Sequence, residues 1–242
     1  MTSIGILGSD GRMGRAIAAI ASDFGVTIAG GIDAGGDPLL LARAADVLVD
    51  FTAPSALQAN LDAACETGTP IVVGTTGLGQ QHHDMIDNAA ARIAVLQTGT
   101  TSLGIVLLTQ FVTQAAARLG PDWDIEIVEA HHRNKVDAPS GTALMLGEAA
   151  AEARGTTLGE LSVVDRAGLA GARSEGTIGF SAIRGGSIAG DHLVIFAGPG
   201  ERIELGHRAE SREMFARGAI RAASWLAGQP AGRYSMAEVL GL

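Results

Sequence analysis

The stretch Ser3-Ile4-Gly5-Ile6-Leu7-Gly8-Ser9-Asp10-Gly11-Arg12-Met13-Gly14 decides how the chain folds. Ser3 to Leu7 is a short apolar run of strand type. Glycines follow at 8, 11 and 14, and Met13, Ile17, Ile20 and Phe24 then recur at helical spacing. A strand that runs through a glycine-rich turn into a helix places free backbone N–H groups, and the positive end of a helix dipole, where a pyrophosphate can approach. The ligand-free alternative is a tight β-to-α turn. Context favours a nucleotide: Val26 to Ile32 reads as a second strand, and it ends beside Asp33, where a carboxylate binds ribose hydroxyls. No arginine adjoins Asp33 to receive a 2′-phosphate, which leans the reading toward NADH over NADPH. Arg12 and Arg15 are either surface charges or phosphate contacts.

The alternation continues outward from this motif. Val47 to Phe51, Pro70 to Val73 and Ile93 to Leu96 read as strands. Helix-period stretches separate them, with Pro54 suited to a first helical turn and a polar helix near Gln80 to Ala91. Strand–helix repeats with short connections mean βαβ units and a parallel sheet. Gly74-Thr75-Thr76-Gly77 and Thr98-Gly99-Thr100-Thr101 follow two of these strands. In an open parallel sheet that is where ligands bind; the alternative is a pair of ordinary turns.

After about Ser102 the pattern changes. Leu103 to Leu119 reads as a long apolar helix, Asp124 to Val128 as a strand with one wetter face, and Ser140 to Arg154 as an Ala-rich helix. Gly176 to Ile183, His192 to Ala197 and Arg202 to His207 are strand-like runs joined by Gly-rich turns, which points to an antiparallel or mixed sheet. Glu213 to Leu226 is again an amphipathic helix. The expected class is α/β: a Rossmann-type parallel-sheet domain plus an α+β domain with a mixed sheet.

The composition excludes several functions. The 242 residues carry a net charge of −9, which argues against a nucleic-acid partner and means that any anionic ligand needs a local cluster of donors. No apolar run is long enough for a bilayer, so no membrane partner is expected. The single cysteine, Cys65, forms no internal disulfide and suits a reducing cytoplasm. It falls in a predicted helix, a poor place for the nucleophile of a semialdehyde dehydrogenase.

The densest polar stretch is Glu129-Ala130-His131-His132-Arg133-Asn134-Lys135-Val136-Asp137-Ala138-Pro139-Ser140-Gly141-Thr142. Metal binding is a poor fit: two adjacent histidines, a distant Cys65 and no His-Glu-x-x-His pattern do not make a zinc site, so no metal is expected. His82-His83 reads as a solvated helix face. General acid chemistry suits 131–135 better, because histidine delivers protons near neutrality. The chain has 17 basic residues, of which sixteen are Arg and one, Lys135, is Lys. A compact ammonium is not interchangeable with a planar guanidinium, so its place three residues after His132 is informative. Pro139 and Ser140 mark a helix start whose Gly141 and Thr142 N–H groups would hold a carboxylate. Residues alone leave open which histidine faces a substrate. They also leave open another two-domain reductase, or a nucleotide-sensing module without turnover.

These segments resemble the 4-hydroxy-tetrahydrodipicolinate reductases, also called dihydrodipicolinate reductases. The resemblance rests on GSDGRMGR, VDFTAPSA, VVGTTG, EAHHRNKVDAPSGTAL, IRGGSIAGDH and ELGHRAESR, in the family's order over most of the chain. It implies a dinucleotide-binding domain from 1–102 and 212–242, and a substrate-binding, oligomer-forming domain from 103–211, assembled as a cytoplasmic homotetramer. It implies that NADH or NADPH reduces a cyclic conjugated imine dicarboxylate in diaminopimelate and lysine biosynthesis. By the same resemblance His131 exchanges the proton and Lys135 is the second catalytic residue, also touching substrate. His132, Gly141 and Thr142 bind substrate carboxylates. Gly8, Ser9, Asp10, Gly11, Arg12, Met13, Asp33, Gly74, Thr75, Thr76, Thr98, Gly99, Thr100 and Thr101 hold the cofactor. Two features depart from the family's pattern. Thr100-Thr101-Ser102 stands where the family has Asn, an aromatic and Ser. The segment from Asp33 to Asp46 is short, as if one element of the nucleotide domain were trimmed.

Overall fold

The apolar runs of the first hundred residues form strands that are sealed on both faces. Ile4, Ile6, Val47, Leu48, Val49, Ile71, Val72, Val73, Val95 and Leu96 are essentially fully buried. That is the signature of a parallel sheet covered by helices on each side. The computed structural model describes residues 1–164, 166–168 and 170–242, and the chain divides into two units, Met1–Leu103 with Glu213–Leu242, and Gly104–Arg212.

In the first unit the order is β1 (Ser3–Leu7), α1 (Arg12–Ile20), β2 (Thr27–Ile32), α2 (Pro38–Ala44), β3 (Val47–Asp50), α3 (Leu57–Thr67), β4 (Ile71–Val73), α4 (Gln80–Ala90) and β5 (Ala94–Gln97). The sheet runs β11-β5-β4-β3-β1-β2, with every pairing parallel. Residues of α2, α3 and α4 share one apolar cluster with alternate strand residues such as Leu48, Ile71 and Val95. The direction of winding reverses between β1 and β3, which opens a crevice beyond their carboxyl ends. Gly8 and Phe51 begin the chain segments that leave the sheet there.

The second unit holds α5 (Leu103–Arg118, whose first residue belongs to the first unit), β6 (Asp124–His131), α6 (Gly141–Ala153), α7 (Leu158–Leu161), β7 (Ser162–Val163), β8 (Ile178–Arg184), β9 (Asp191–Gly198) and β10 (Glu201–Arg208). Its sheet runs β10-β9-β6-β8-β7 and is mixed: β6 is parallel to β8, while β9 is antiparallel to β6 and β10. Period-two alternation puts Ile125, Ile127, Glu129 and His131 on one face of β6. Register aligns them with Ile178, Phe180, Ala182 and Arg184 of β8, and Phe196, Val194 and His192 of β9 continue the first three rows. Thus one continuous face starts as an apolar floor, packed with α5 and α6 residues, and ends as a polar cluster.

The chain returns to the first unit through α8 (Glu213–Leu226), β11 (Gly232–Tyr234) and α9 (Met236–Leu240). Several elements differ from the sequence-based expectation. The helix predicted through Phe24 stops at Ile20; a 3-10 turn, Ala21–Phe24, follows, and Gly25 closes it at φ 65°. The short segment after Asp33, for which no helix is predicted, holds α2: Asp37 caps it by accepting from Leu39 N at 2.9 Å and Pro38 occupies its first turn. α7, β7, β11 and α9 span five residues or fewer each, too few for periodicity to reveal. Among the described residues no helix is long and apolar enough to cross a membrane.

A sharp packing constraint sits on α8. A Cβ on Gly218 would overlap the carbonyl of Thr101. Gly218→Ala is therefore expected to destabilise the protein by roughly 1–3 kcal/mol, the usual cost of overpacking, and to displace Thr101, one of the residues that the sequence reading assigns to a cofactor. Denaturant unfolding and cofactor titration would measure both; an unchanged midpoint would contradict the packing argument.

Candidate functional site

The first unit builds a cradle from backbone. Gly8 has φ +88°, a left-handed conformation that only glycine adopts freely, and a Cβ there would meet Phe51 O at 2.7 Å. Gly8 N and Ser9 N donate to Ile32 O at 2.8 and 3.2 Å, which ties the loop to the end of β2. Gly14 lets α1 approach the loop, since a Cβ would overlap Gly8 O. Gly11 caps α1 with no side chain, so the first-turn N–H groups point into open space at the positive end of the helix. Asp33 accepts from Ser9 Oγ at 2.7 Å and Asp10 N at 2.9 Å, both through Oδ2. Its Oδ1 has no protein partner among the described residues.

Two cavities flank this loop. One, of about 390 Å³, is lined by Gly11, Arg12, Met13, Gly74, Thr75, Thr76, Thr98, Gly99, Thr100 and Thr101, together with Phe51, Thr52 and Phe215. The other, of about 430 Å³, is lined by residues including Gly8, Gly11, Asp33, Ala34, Gly35 and Gly36. The structure thus brings the sequence-predicted nucleotide residues around one strand-end crevice. It also adds two aromatics that the sequence motifs did not single out, Phe51 and Phe215. The threonines serve as wall more than as donors. Thr75 Oγ1 donates to Asp50 Oδ1 at 3.0 Å, Thr101 Oγ1 to Phe215 O at 2.7 Å, and Thr98 Oγ1 to Thr100 O. Asp50, fully buried, also accepts from Thr52 N, Thr52 Oγ1 and Asn60 Nδ2.

The second unit gathers side chains at the end of β6. His131 is the last strand residue, and its Nδ1 lies 2.6 Å from Glu129 Oε2. Glu129 is 1% exposed. Arg184 spans both its oxygens, at 2.7 and 2.6 Å, and Ser140 N donates to Oε1 at 3.1 Å. Burial pushes the Glu129 carboxyl pKa up, but hydrogen bonds from Arg184 and His131 outweigh it and hold the carboxyl below its usual range. Lys135 turns back so that its N–H donates to His132 O at 3.1 Å, and its ammonium pairs with Asp137 at 2.9 Å. Ser140 caps α6, its Oγ accepting from Ala143 N at 3.2 Å. The first-turn N–H groups of Gly141 and Thr142 keep no protein acceptor among the described residues. His192 closes the cluster: its ring stands edge-on to His131 with centroids 5.1 Å apart, and its Nε2 lies 3.1 Å from Ser140 Oγ. The charges of both His131 and Lys135 reach it. His132 lies just past the strand, with a buried Nδ1 that finds no partner among the described residues.

Glu129, Arg184 and His192 were not singled out from sequence. The i, i+2 spacing of Glu129 and His131 was the available signal for the first; strand register alone delivers the other two. His82 and His83 are not simply a solvated face. His82 Nδ1 accepts from Gly79 N at 3.0 Å, and His83 Nδ1 lies 3.1 Å from an Arg233 nitrogen. Burial raises the Cys65 thiol pKa, the opposite of an activated nucleophile. Among the described residues no group of three or more His, Cys, Asp or Glu could hold a metal.

Comparison with known proteins gives concordant matches. Residues 2–100 match the family model "Dihydrodipicolinate reductase, N-terminus" and residues 104–240 match "Dihydrodipicolinate reductase, C-terminus". The chain is 54% identical to a 4-hydroxy-tetrahydrodipicolinate reductase of Zymomonas mobilis, over 99% of this chain and 97% of that one. It is 49% identical to the Caulobacter vibrioides protein of the same name, over 98% and 96%. Among solved structures, a dipicolinate-bound dihydrodipicolinate reductase from Paenisporosarcina sp. TG-14 aligns over 97% of each chain with TM-score 0.78 at 21% identity, a likeness of fold.

The buried histidine yields a pH test. Burial first, then the charge of His131, lowers the His192 pKa from 6.5 to about 4; Glu129 opposes, and His207 and Lys135 add to the lowering. Below pH 6.5 the unfolded chain takes up a proton that folded His192 refuses. Stability should therefore fall as pH drops from 6.5 to 4, by up to about 3 kcal/mol from this group. Denaturant melts of the wild type and His192→Asn across that window should converge as pH falls. Parallel curves would refute it.

Proposed function

We propose a division of labour that starts from one premise: this chain belongs to the dihydrodipicolinate reductase family. It is an NAD(P)H-dependent oxidoreductase that reduces 4-hydroxy-tetrahydrodipicolinate to tetrahydrodipicolinate in diaminopimelate and lysine biosynthesis. The observation that carries the assignment of residues is the adjacency of His131, its buried carboxylate and the open helix start at Gly141.

The nucleotide belongs to the first unit, which we assign to residues 1–102 and 212–242. The glycine cradle and open helix start fit a pyrophosphate, with Gly8, Ser9, Asp10, Gly11, Arg12 and Met13 around it. Asp33 Oδ1 suits ribose hydroxyls. Gly74 to Thr76 and Thr98 to Thr101 form the wall for the nicotinamide, with Phe51 and Phe215 as its aromatic surface. When bound, the nicotinamide would supply a hydride to the conjugated cyclic imine that remains once the 4-hydroxyl of the substrate has left as water. The loop after Asp33 is Ala34-Gly35-Gly36, without a cation for a 2′-phosphate, so NADH is the favoured donor.

The substrate belongs to residues 103–211. A dicarboxylate needs two anion sites in an acidic protein. The Gly141 and Thr142 N–H groups provide one without any formal charge; Lys135 and His132 provide the other. His131 delivers a proton to the carbon adjacent to the reduced centre and is left neutral. The sheet face opposite α5 and α6 carries Val128, Ala130, Leu193 and an Ile183 that is 51% exposed, which favours self-association as a homotetramer. We place the enzyme in the cytoplasm.

Turnover decides the reading. NADH and NADPH oxidation should be followed with freshly generated pathway intermediate, and kcat/KM should be higher with NADH. Folded protein that turns over neither cofactor would contradict the reductase assignment. His131→Gln should lower kcat by about 10²–10⁴-fold with a much smaller change in KM. Lys135→Arg should also fail badly, because a guanidinium cannot match the ammonium's size and donor geometry; near-normal activity would refute a specific role for the lone lysine.

A further inference from the structure

Glu129 is buried deeply enough that packing alone does not explain it. A carboxylate out of water is strongly unfavourable unless every lone pair is matched, and an apolar residue of similar size would serve a plain core better. Here both oxygens are fully used, and the partners are not arbitrary. Oε2 faces His131 Nδ1 at 2.6 Å, and Oε1 receives Ser140 N at 3.1 Å. Arg184 grips both oxygens, which leaves the carboxylate no freedom to rotate. One side chain is therefore bonded to the histidine and to the residue that starts α6.

An ionised carboxylate only accepts, so the nitrogen facing it must carry hydrogen. Neutral His131 is thus protonated at Nδ1, and Nε2 is the atom that takes up a proton. In the imidazolium both nitrogens carry hydrogen; loss of the Nε2 proton to substrate restores the neutral ring with its Nδ1–H···Glu129 bond intact. No proton need move to Glu129. The same logic operates wherever a carboxylate orients a catalytic imidazole.

We propose that Glu129 is the positioning residue of the reaction: it holds His131 with Nε2 as the proton-carrying atom and, through Ser140, sets where the carboxylate-binding start of α6 lies relative to that donor. The proposal rests on His131 being the proton donor.

Glu129→Gln tests it with little change of shape. The amide oxygen can still accept from Arg184 Nη2 and Ser140 N, but the amide NH₂ then faces His131 Nδ1 and Arg184 Nη1, two positions where the carboxylate accepted. The ring is driven to the other tautomer, and the imidazolium loses its partner. We expect kcat to fall about 100-fold or more, with KM changed less than about 3-fold because the Gly141 and Thr142 donors and Lys135 remain. A folded Glu129→Gln enzyme with kcat within about 3-fold of wild type would overturn the proposal. Nitrogen-15 NMR of histidine-labelled wild type, with His131 assigned by comparison with His131→Gln, gives a readout that does not depend on Glu129→Gln folding. Neutral His131 should carry its proton on Nδ1; a proton on Nε2 would overturn the proposal. If His131→Gln is inactive while Glu129→Gln is active, the positioning role alone falls. If His131→Gln keeps full kcat, the donor assignment falls with it.

Discussion

A carboxylate buried in protein must be surrounded by donors, and this requirement organises both units of the chain. Asp50, at the end of β3, is fully buried and draws in Thr52, Asn60 and Thr75. Those contacts fix the segment that leaves β3 and the one that leaves β4, two walls of the cavity proposed for the nucleotide. Glu129, near the end of β6, draws in His131, Ser140 and Arg184. Removing either acid would strand several donors at once, at a cost of several kcal/mol, whereas each bond alone is worth far less. Rigidity at these strand ends comes from that asymmetry.

The same chemistry explains how a chain of net charge −9 handles anions. It does not rely on a long-range positive field. The helix start proposed for the pyrophosphate offers backbone N–H groups behind a glycine cap, and the one proposed for a carboxylate offers N–H groups behind a serine cap. Fixed dipoles of this kind act over the first turn and leave the rest of the surface free to be acidic. Formal charge is used sparingly: Lys135 is restrained by Asp137, and the Arg184 charge is spent on Glu129.

The departures from the family's pattern take physical form. Thr101 lacks an aromatic ring, and its hydroxyl instead donates to the Phe215 carbonyl, while Phe215 lines the same cavity. The neighbouring Gly218 is small because the Thr101 carbonyl occupies the space a side chain would fill. The abbreviated segment after Asp33 still forms a capped helix, α2, which shares an apolar cluster with α3 and α4.

Much of this was legible in the residues themselves. Periodicity, glycine spacing and helix caps are local, so the strand–loop–helix of the nucleotide cradle, the parallel first sheet, the mixed second sheet and the polar 129–142 stretch could be read directly. The resemblance supplied the roles of individual side chains. Short elements such as β11 and α9 were not legible, because three to five residues carry no period. The histidine pair was ambiguous for a related reason: alternation places neighbours on opposite faces but does not say which face is which. Alternation already puts Glu129 and His131 on one face; only the tertiary structure decides that this face is the one packed against α5 and α6, that β8 brings Arg184 level with His131, and that β9 brings His192 level with Glu129. Those partners lie about fifty residues or more apart in sequence. The hydrophobic pattern of a strand constrains its register, but which residues of distant strands stand level is settled only when the sheet assembles.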